Sequence, residues 1–167
     1  MNEWGANEMP FLFIIDYNCE KIQLYKLDAL PSNVYYNING KRNYYPKEIH
    51  SSHKLSHDGI DKFAYREAFN RVMAEIKKGN SYLCNLSVEV PIKMDVNLSN
   101  LLMHVESDYL LYVENEFMVF SPEPFIKITD GVISTCPMKG TIDASIPDAE
   151  MQLLANKKEA AEHATVV

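Results

Sequence analysis

The sequence has little cysteine. Cys19, Cys84 and Cys136 are far apart, odd in number and without a C-x-x-C pair. That argues against a disulfide framework or a zinc ribbon and for free thiols in a reducing compartment. Long apolar runs are missing too: FLFII near the N-terminus is far too short to span a bilayer. The first residues, MNEWGANE, carry neither the basic nor the apolar stretch of a secretory signal. A cytoplasmic protein is the expectation. No Lys/Arg run or basic stripe exists, and the formal net charge is −7, which argues against nucleic acid as a partner. A small anionic substrate stays compatible, because a pocket can be locally positive inside an acidic protein. Low-complexity segments and strict repeats are absent.

What is present is ordinary for a globular protein: 47% hydrophobic and 23% charged residues over 167 positions, enough for one domain with a sizeable core. FLFIIDY (11–17) and IQLYKL (22–27) read as a hairpin, and VYYNI (34–38) as a strand ended by the turn pair Asn39-Gly40. Residues 41–59 lack periodicity and read as a loop. From about Ile60 to Lys78 the spacing of Phe69, Val72, Met73 and Ile76 predicts a helix, with Gly79 placed to end it. Alternation in YLCNLSVEVPI (82–92) predicts a strand with Cys84 on its buried face, and 98–106 a short helix capped by Asn97. YLLYV and FMVF bracket a second hairpin; FIKI and VIST bracket a third around Asp130-Gly131. A last helix is expected from about Asp148 to Val167. Its apolar side is still running at the end, with no capping residue, so the front part of a longer protein is expected. A frayed helix docking its last turn is the alternative.

Three stretches carry candidate chemistry: FSPEPF (120–125), CPMKGT (136–141) and KKEAAEH (157–163). The first two lie at the outer ends of the Asp130-Gly131 hairpin, so Glu123 and Lys139 should meet across it. Such a pair can serve as acid and nucleophile. On spacing alone a surface ion pair, worth about 0–1 kcal/mol, is the commoner outcome. Glu159 and Glu162 stand at i, i+3 on one helix face, with His163 beside them. A hard cation such as Mg²⁺ would offset their repulsion; a solvated acidic face beside Lys157 and Lys158 is the commoner alternative. His50, His53 and His57 lie in a polar loop without a carboxylate or thiol at matching spacing, so a metal site there is not expected.

Taken in order, these stretches resemble the chorismate-binding enzyme family. The likeness runs from YREAFNRVMAEIKKGNSYLCNLS through SPEPFI, DGVISTCPMKGT and KKEAAEHATVV, about residues 65 to 167. MPFLFIIDYNCEK resembles the start of the short bacterial form of aminodeoxychorismate synthase component I. In that branch the Pro-x-Lys-Gly-Thr loop carries lysine; in anthranilate, isochorismate and salicylate synthases the position is typically alanine. Here it is Lys139. The resemblance implies an α+β fold, antiparallel β-sheets packed with outer helices, of which a single domain (1–45 N-terminal strands, 60–167 chorismate-binding-like segment) supplies part. It implies amination of chorismate at C4, on the route to p-aminobenzoate and folate, with ammonia from a glutamine amidotransferase subunit. Lys139 would be the nucleophile and Glu123 the acid. Gly140 and Thr141 would bind substrate, and Glu162, with Glu159, would hold Mg²⁺. A lysine with a reference pKa of about 10.4 is only about 0.1% neutral near pH 7.4, so that role needs partial burial or a neighbouring cation. Two features depart from the family. This chain contains neither the family's Asp-Leu-x-Arg-Asn-Asp stretch nor its C-terminal half, and HVESDYLLYV stands where many members carry Asn-Pro-x-Pro. The chain by itself is expected to be inactive. Anthranilate synthase component I, or a non-catalytic remnant that binds the amidotransferase subunit, are the alternatives.

Overall fold

The computed structural model describes residues 1–47, 53–138 and 140–166, with the side chain of residue 166 left aside. Two compact units are present: Met1–Lys47 with Val105–Val167, and Glu48–His104 between them in sequence. The fold is α+β with antiparallel sheets and several helices, as expected.

The first unit opens with a short helix, α1 (Asn2–Ala6), which the sequence does not announce. Strands β1 (Phe11–Ile15) and β2 (Ile22–Lys26) form the expected hairpin, Phe11 opposite Lys26. Trp4 meets Phe11 edge-on at 5.7 Å and lies 5.6 Å from the Lys26 ammonium, so α1 closes over the hairpin's end. Strands β3 (Val34–Ile38) and β4 (Lys41–Arg42) turn at Asn39-Gly40, both with positive φ, the conformation this residue pair favours in a two-residue hairpin loop.

The helix and strands of the second unit come next in the chain: β5 (Leu55–His57), α2 (Lys62–Lys77), β6 (Ile92–Met94) and α3 (Leu98–Leu102). Asp61 caps α2 by accepting from the amides of Phe63 and Ala64. Gly79, at φ +80°, ends it, with Asn80 N–H reaching the Glu75 carbonyl and Gly79 N–H that of Ile76. Val72, Met73 and Ile76 on the predicted face are half-buried, whereas Phe69 is exposed. The expected strand over 82–92 does not form beyond Ile92, the first residue of β6, which pairs with β5 inside the stretch read as a loop. Cys84 is exposed rather than buried, like Cys19 and Cys136. An alternating pattern becomes a strand only where a partner takes its backbone groups, and among the described residues none pairs with 82–91.

The chain then returns to the first unit. β7 (Tyr109–Val113) and β8 (Phe117–Ser121) complete a four-stranded sheet in the order β4-β3-β7-β8. Val34 opposite Val113 and Tyr36 opposite Leu111 share one face. That face packs on Leu12, Ile14 and Tyr25 of the first hairpin, and this is the core. On the opposite face Tyr35 stacks on Tyr112 at 5.7 Å, and Asn37 is buried. Its amide donates to the Ser107 carbonyl at 2.7 Å, and its side-chain oxygen accepts from Gly40 N–H at 3.0 Å. β9 (Lys127–Thr129) and β10 (Val132–Ser134) form the third hairpin, turning at Asp130 and Gly131 with φ of 51° and 76°. The last predicted helix is two: α4 (Ala149–Ala155) and α5 (Lys157–Val166), separated at Asn156, whose backbone is extended. No helix among the described residues is long and apolar enough to cross a membrane.

Candidate active site

The site is assembled by the third hairpin and α5. Beyond the short ladder of β9 and β10, the Thr135 hydroxyl donates to the Phe125 carbonyl at 3.1 Å, which zips the strands outward. Glu123 sits just past β8 between Pro122 and Pro124, whose rings fix φ and stiffen the segment. The Ser121 hydroxyl accepts from Glu123 N–H at 3.2 Å and donates to the Glu123 carbonyl at 3.0 Å. Thus held, the Glu123 carboxylate accepts from Met138 N–H at 2.7 Å. The acid therefore grips the loop at the residue before Lys139. Lys139 itself lies outside the described residues.

Gly140 follows with φ +85°, and a Cβ there would stand 3.0 Å from Glu159 Oε2 and 3.2 Å from Leu153 Cδ1. The positive φ favours glycine, and a side chain there would press on Leu153 of α4 and Glu159 of α5. Asn156 caps α5: its side-chain oxygen accepts from the amides of Lys158 and Glu159 at 3.0 and 3.3 Å. This sets the first turn so that the Lys158 ammonium lies 3.1 Å from Glu159 Oε1 and 3.1 Å from Glu162 Oε1. The hydrogen bond to Glu159, then that to Glu162, pushes the Lys158 pKa above its usual value.

Ser121, Pro122, Glu123, Met138, Gly140, Thr141, Lys158, Glu159 and Glu162 line one open cleft of about 510 Å³. Five of the six residues singled out in the sequence thus meet there, and Lys139 is flanked in the chain by two of the lining residues. Lys158, Ser121 and Asn156 were not singled out. The i, i+4 spacing of Lys158 and Glu162 was a visible signal for the first of these. His163 lines a neighbouring cleft with Pro137, Leu153, Leu154 and Ala160 instead. Of the loop histidines, His50 lies outside the described residues. His53 Nδ1 is 3.5 Å from Asp95 Oδ1, and His57 Nδ1 accepts from Gly59 N–H. No group of three or more His, Cys, Asp or Glu is arranged to hold a metal among the described residues.

The donor set beside Gly140 does fit a hard cation in kind. Two carboxylates converge on one positive centre, and Mg²⁺ is commonly held by one or two carboxylates with waters and substrate oxygens completing its shell.

An antiparallel α+β fold whose third hairpin and final helix bring Glu123, Gly140, Thr141, Glu159 and Glu162 to one cleft agrees with a match to a family model described as chorismate binding enzyme, over residues 12–167. The chain belongs to the chorismate-binding enzyme family. It is 38% identical to an uncharacterized PabA-like protein of Haemophilus influenzae, over 99% of this chain and 51% of that protein. It is 37% identical to an uncharacterized PabA-like protein of Pasteurella multocida, over 99% and 52%. Against anthranilate synthase component 1 of Leptospira biflexa the identity is 26%, over 63% of this chain and 25% of that protein. The chain thus spans about half the length of the first two relatives. No solved structure matches it.

Proposed function

We propose that the chain is the lysine-bearing half of an enzyme that aminates chorismate at C4, giving 4-amino-4-deoxychorismate with ammonia from a glutamine amidotransferase subunit, in the cytoplasm. The observation that carries this reading is the contact of Glu123 with the loop beside Lys139, within one cleft that also holds Gly140, Thr141, Glu159 and Glu162. In the reaction the neutral Lys139 amine bonds to C2, the ring double bonds shift, and hydroxide leaves C4. Glu123 donates the proton that turns this poor leaving group into water. Its Oε2 can keep the Met138 hydrogen bond while the other oxygen carries the proton. Ammonia then bonds to C4, the double bonds shift back, and Lys139 is expelled as the free amine. Gly140 and Thr141 hold the substrate. Glu159 and Glu162 would hold Mg²⁺, which when bound neutralises a substrate carboxylate. That help is needed: among the described lining residues Lys158 is the cation, against the carboxylates of Glu123, Glu159 and Glu162.

The test is product analysis on the full-length protein with chorismate, Mg²⁺ and ammonium. We expect 4-amino-4-deoxychorismate, its loss in Lys139→Ala, and a fall in kcat of about 10²–10⁴-fold in Glu123→Gln. Turnover unaffected by Lys139→Ala removes the lysine from the mechanism and favours a non-catalytic role in binding the amidotransferase. The similarity to the Leptospira protein supports a second reading, anthranilate synthase component I; ortho-amination in the same assay would establish it. The 167-residue chain, about half its relatives' length, is expected to form no product by itself even with ammonium supplied.

A further inference from the structure

We propose that Lys158 is an exchangeable internal cation: it holds the Glu159–Glu162 pair together before metal arrives and leaves the space between them when Mg²⁺ binds. The inference rests on the reading of Glu159 and Glu162 as metal ligands and adds a residue that controls their occupancy.

The geometry points to exchange rather than to a permanent ion pair. The Lys158 ammonium lies 3.1 Å from one oxygen of each carboxylate, so a cation that bridges these two oxygens would take the place it holds. The two kinds of side chain differ in freedom. The Lys158 side chain is 71% exposed, that of Glu159 19% and that of Glu162 33%. Glu159 also lies on the side of Gly140 where a Cβ would point, 3.0 Å from its Oε2 if one were present. The carboxylates are thus the fixed part and the lysine the movable one, with water ready to receive its head group. Lys158 also stands in the first turn of α5, where the helix dipole disfavours positive charge. The two carboxylates are what offset that cost, and a divalent ion competes for them with twice the charge.

The experiment is calorimetric titration of the full-length protein with Mg²⁺, comparing the parent with Lys158→Gln and Lys158→Arg, and with Glu162→Gln as the ligand-loss control. Lys158 is mostly exposed, so these variants should keep the fold; a thermal melt of each verifies this. Removing the internal competitor should tighten Mg²⁺ binding by about threefold to tenfold in Lys158→Gln, whereas Lys158→Arg, which keeps a bridging cation, should bind no tighter than the parent. A second readout is acylation of lysine amines followed by peptide mass spectrometry. Mg²⁺ should accelerate labelling of Lys158 relative to its neighbour Lys157. Equal or weaker Mg²⁺ binding by Lys158→Gln, or labelling unmoved by saturating Mg²⁺, overturns the exchange. No Mg²⁺ binding by the parent or by either Lys158 variant overturns the metal reading itself.

Discussion

Gly140 shows how much one residue type can decide. Its φ of +85° strains any side chain, and a notional Cβ would stand 3.0 Å from Glu159 Oε2, so Glu159 would have to give way. Gly140→Ala should therefore lower stability by about 1–3 kcal/mol, read as a shift in urea midpoint, and weaken Mg²⁺ binding by displacing Glu159. Asn37 is the structural counterpart. It is buried and satisfies both the Asn39-Gly40 turn and the Ser107 carbonyl. Asn37→Leu should cost about 1–3 kcal/mol by stranding those groups, measured in the same denaturation. At this scale the sequence was informative where chemistry restricts the residue type. Glu123, Gly140, Thr141, Glu159 and Glu162 were picked out through the family resemblance of their short stretches, and they line one cleft. Lys158 has Glu162 four residues on where Lys157 has Ala161, so its reach to Glu162 is written in the spacing; its simultaneous contact with Glu159 depends on the rotamer and on the Asn156 cap. Cys84 misled for a related reason: alternation assigns a face, but burial needs something on that face.

At the scale of elements, the hairpins and α2 were legible because their ends are written in residue type. Asn39-Gly40 and Asp130-Gly131 supply the positive φ values their turns require, and Gly79 ends α2; the Asp61 cap at its start emerges only from the structure. Glu75 adds a titratable clasp to that end. The hydrogen bond from Lys78, followed by that from Asn80, holds its pKa below the ordinary glutamate value. A depressed carboxylate contributes its stability above the unfolded pKa and loses it as pH falls through the folded one. Helicity followed by circular dichroism should therefore fray as pH drops below about 4.5, and Glu75→Gln should lose this part of the pH dependence. The split between α4 and α5 was not legible. Asparagine serves a helix interior poorly and a cap well, and only the backbone shows which role Asn156 takes. Asn156→Ala should cost about 1 kcal/mol, seen as a lower thermal midpoint, and should slacken the first turn that presents Lys158 and Glu159.

For the whole molecule, the protected centre is narrow. Leu12, Val34, Leu110, Tyr112 and Val113 are buried, while Phe125, Ile128, Val132 and Ile133 along the third hairpin are exposed. Amide hydrogen exchange should accordingly be slowest in β3 and β7 and fast in β9 and β10. The same apolar side chains should make the purified chain bind the dye ANS, a property of uncovered apolar surface. The third hairpin has one more consequence. Glu123 and Met138 hang from its two arms and are joined by a hydrogen bond, so strand length sets where that contact forms. Adding one residue to a single arm would turn that arm's cargo to the opposite side of the ribbon. Lengthening both arms by two would carry acid and loop outward in step, away from α5. Variation in this family should then tolerate change at the tip of the ribbon far better than a change in one arm alone.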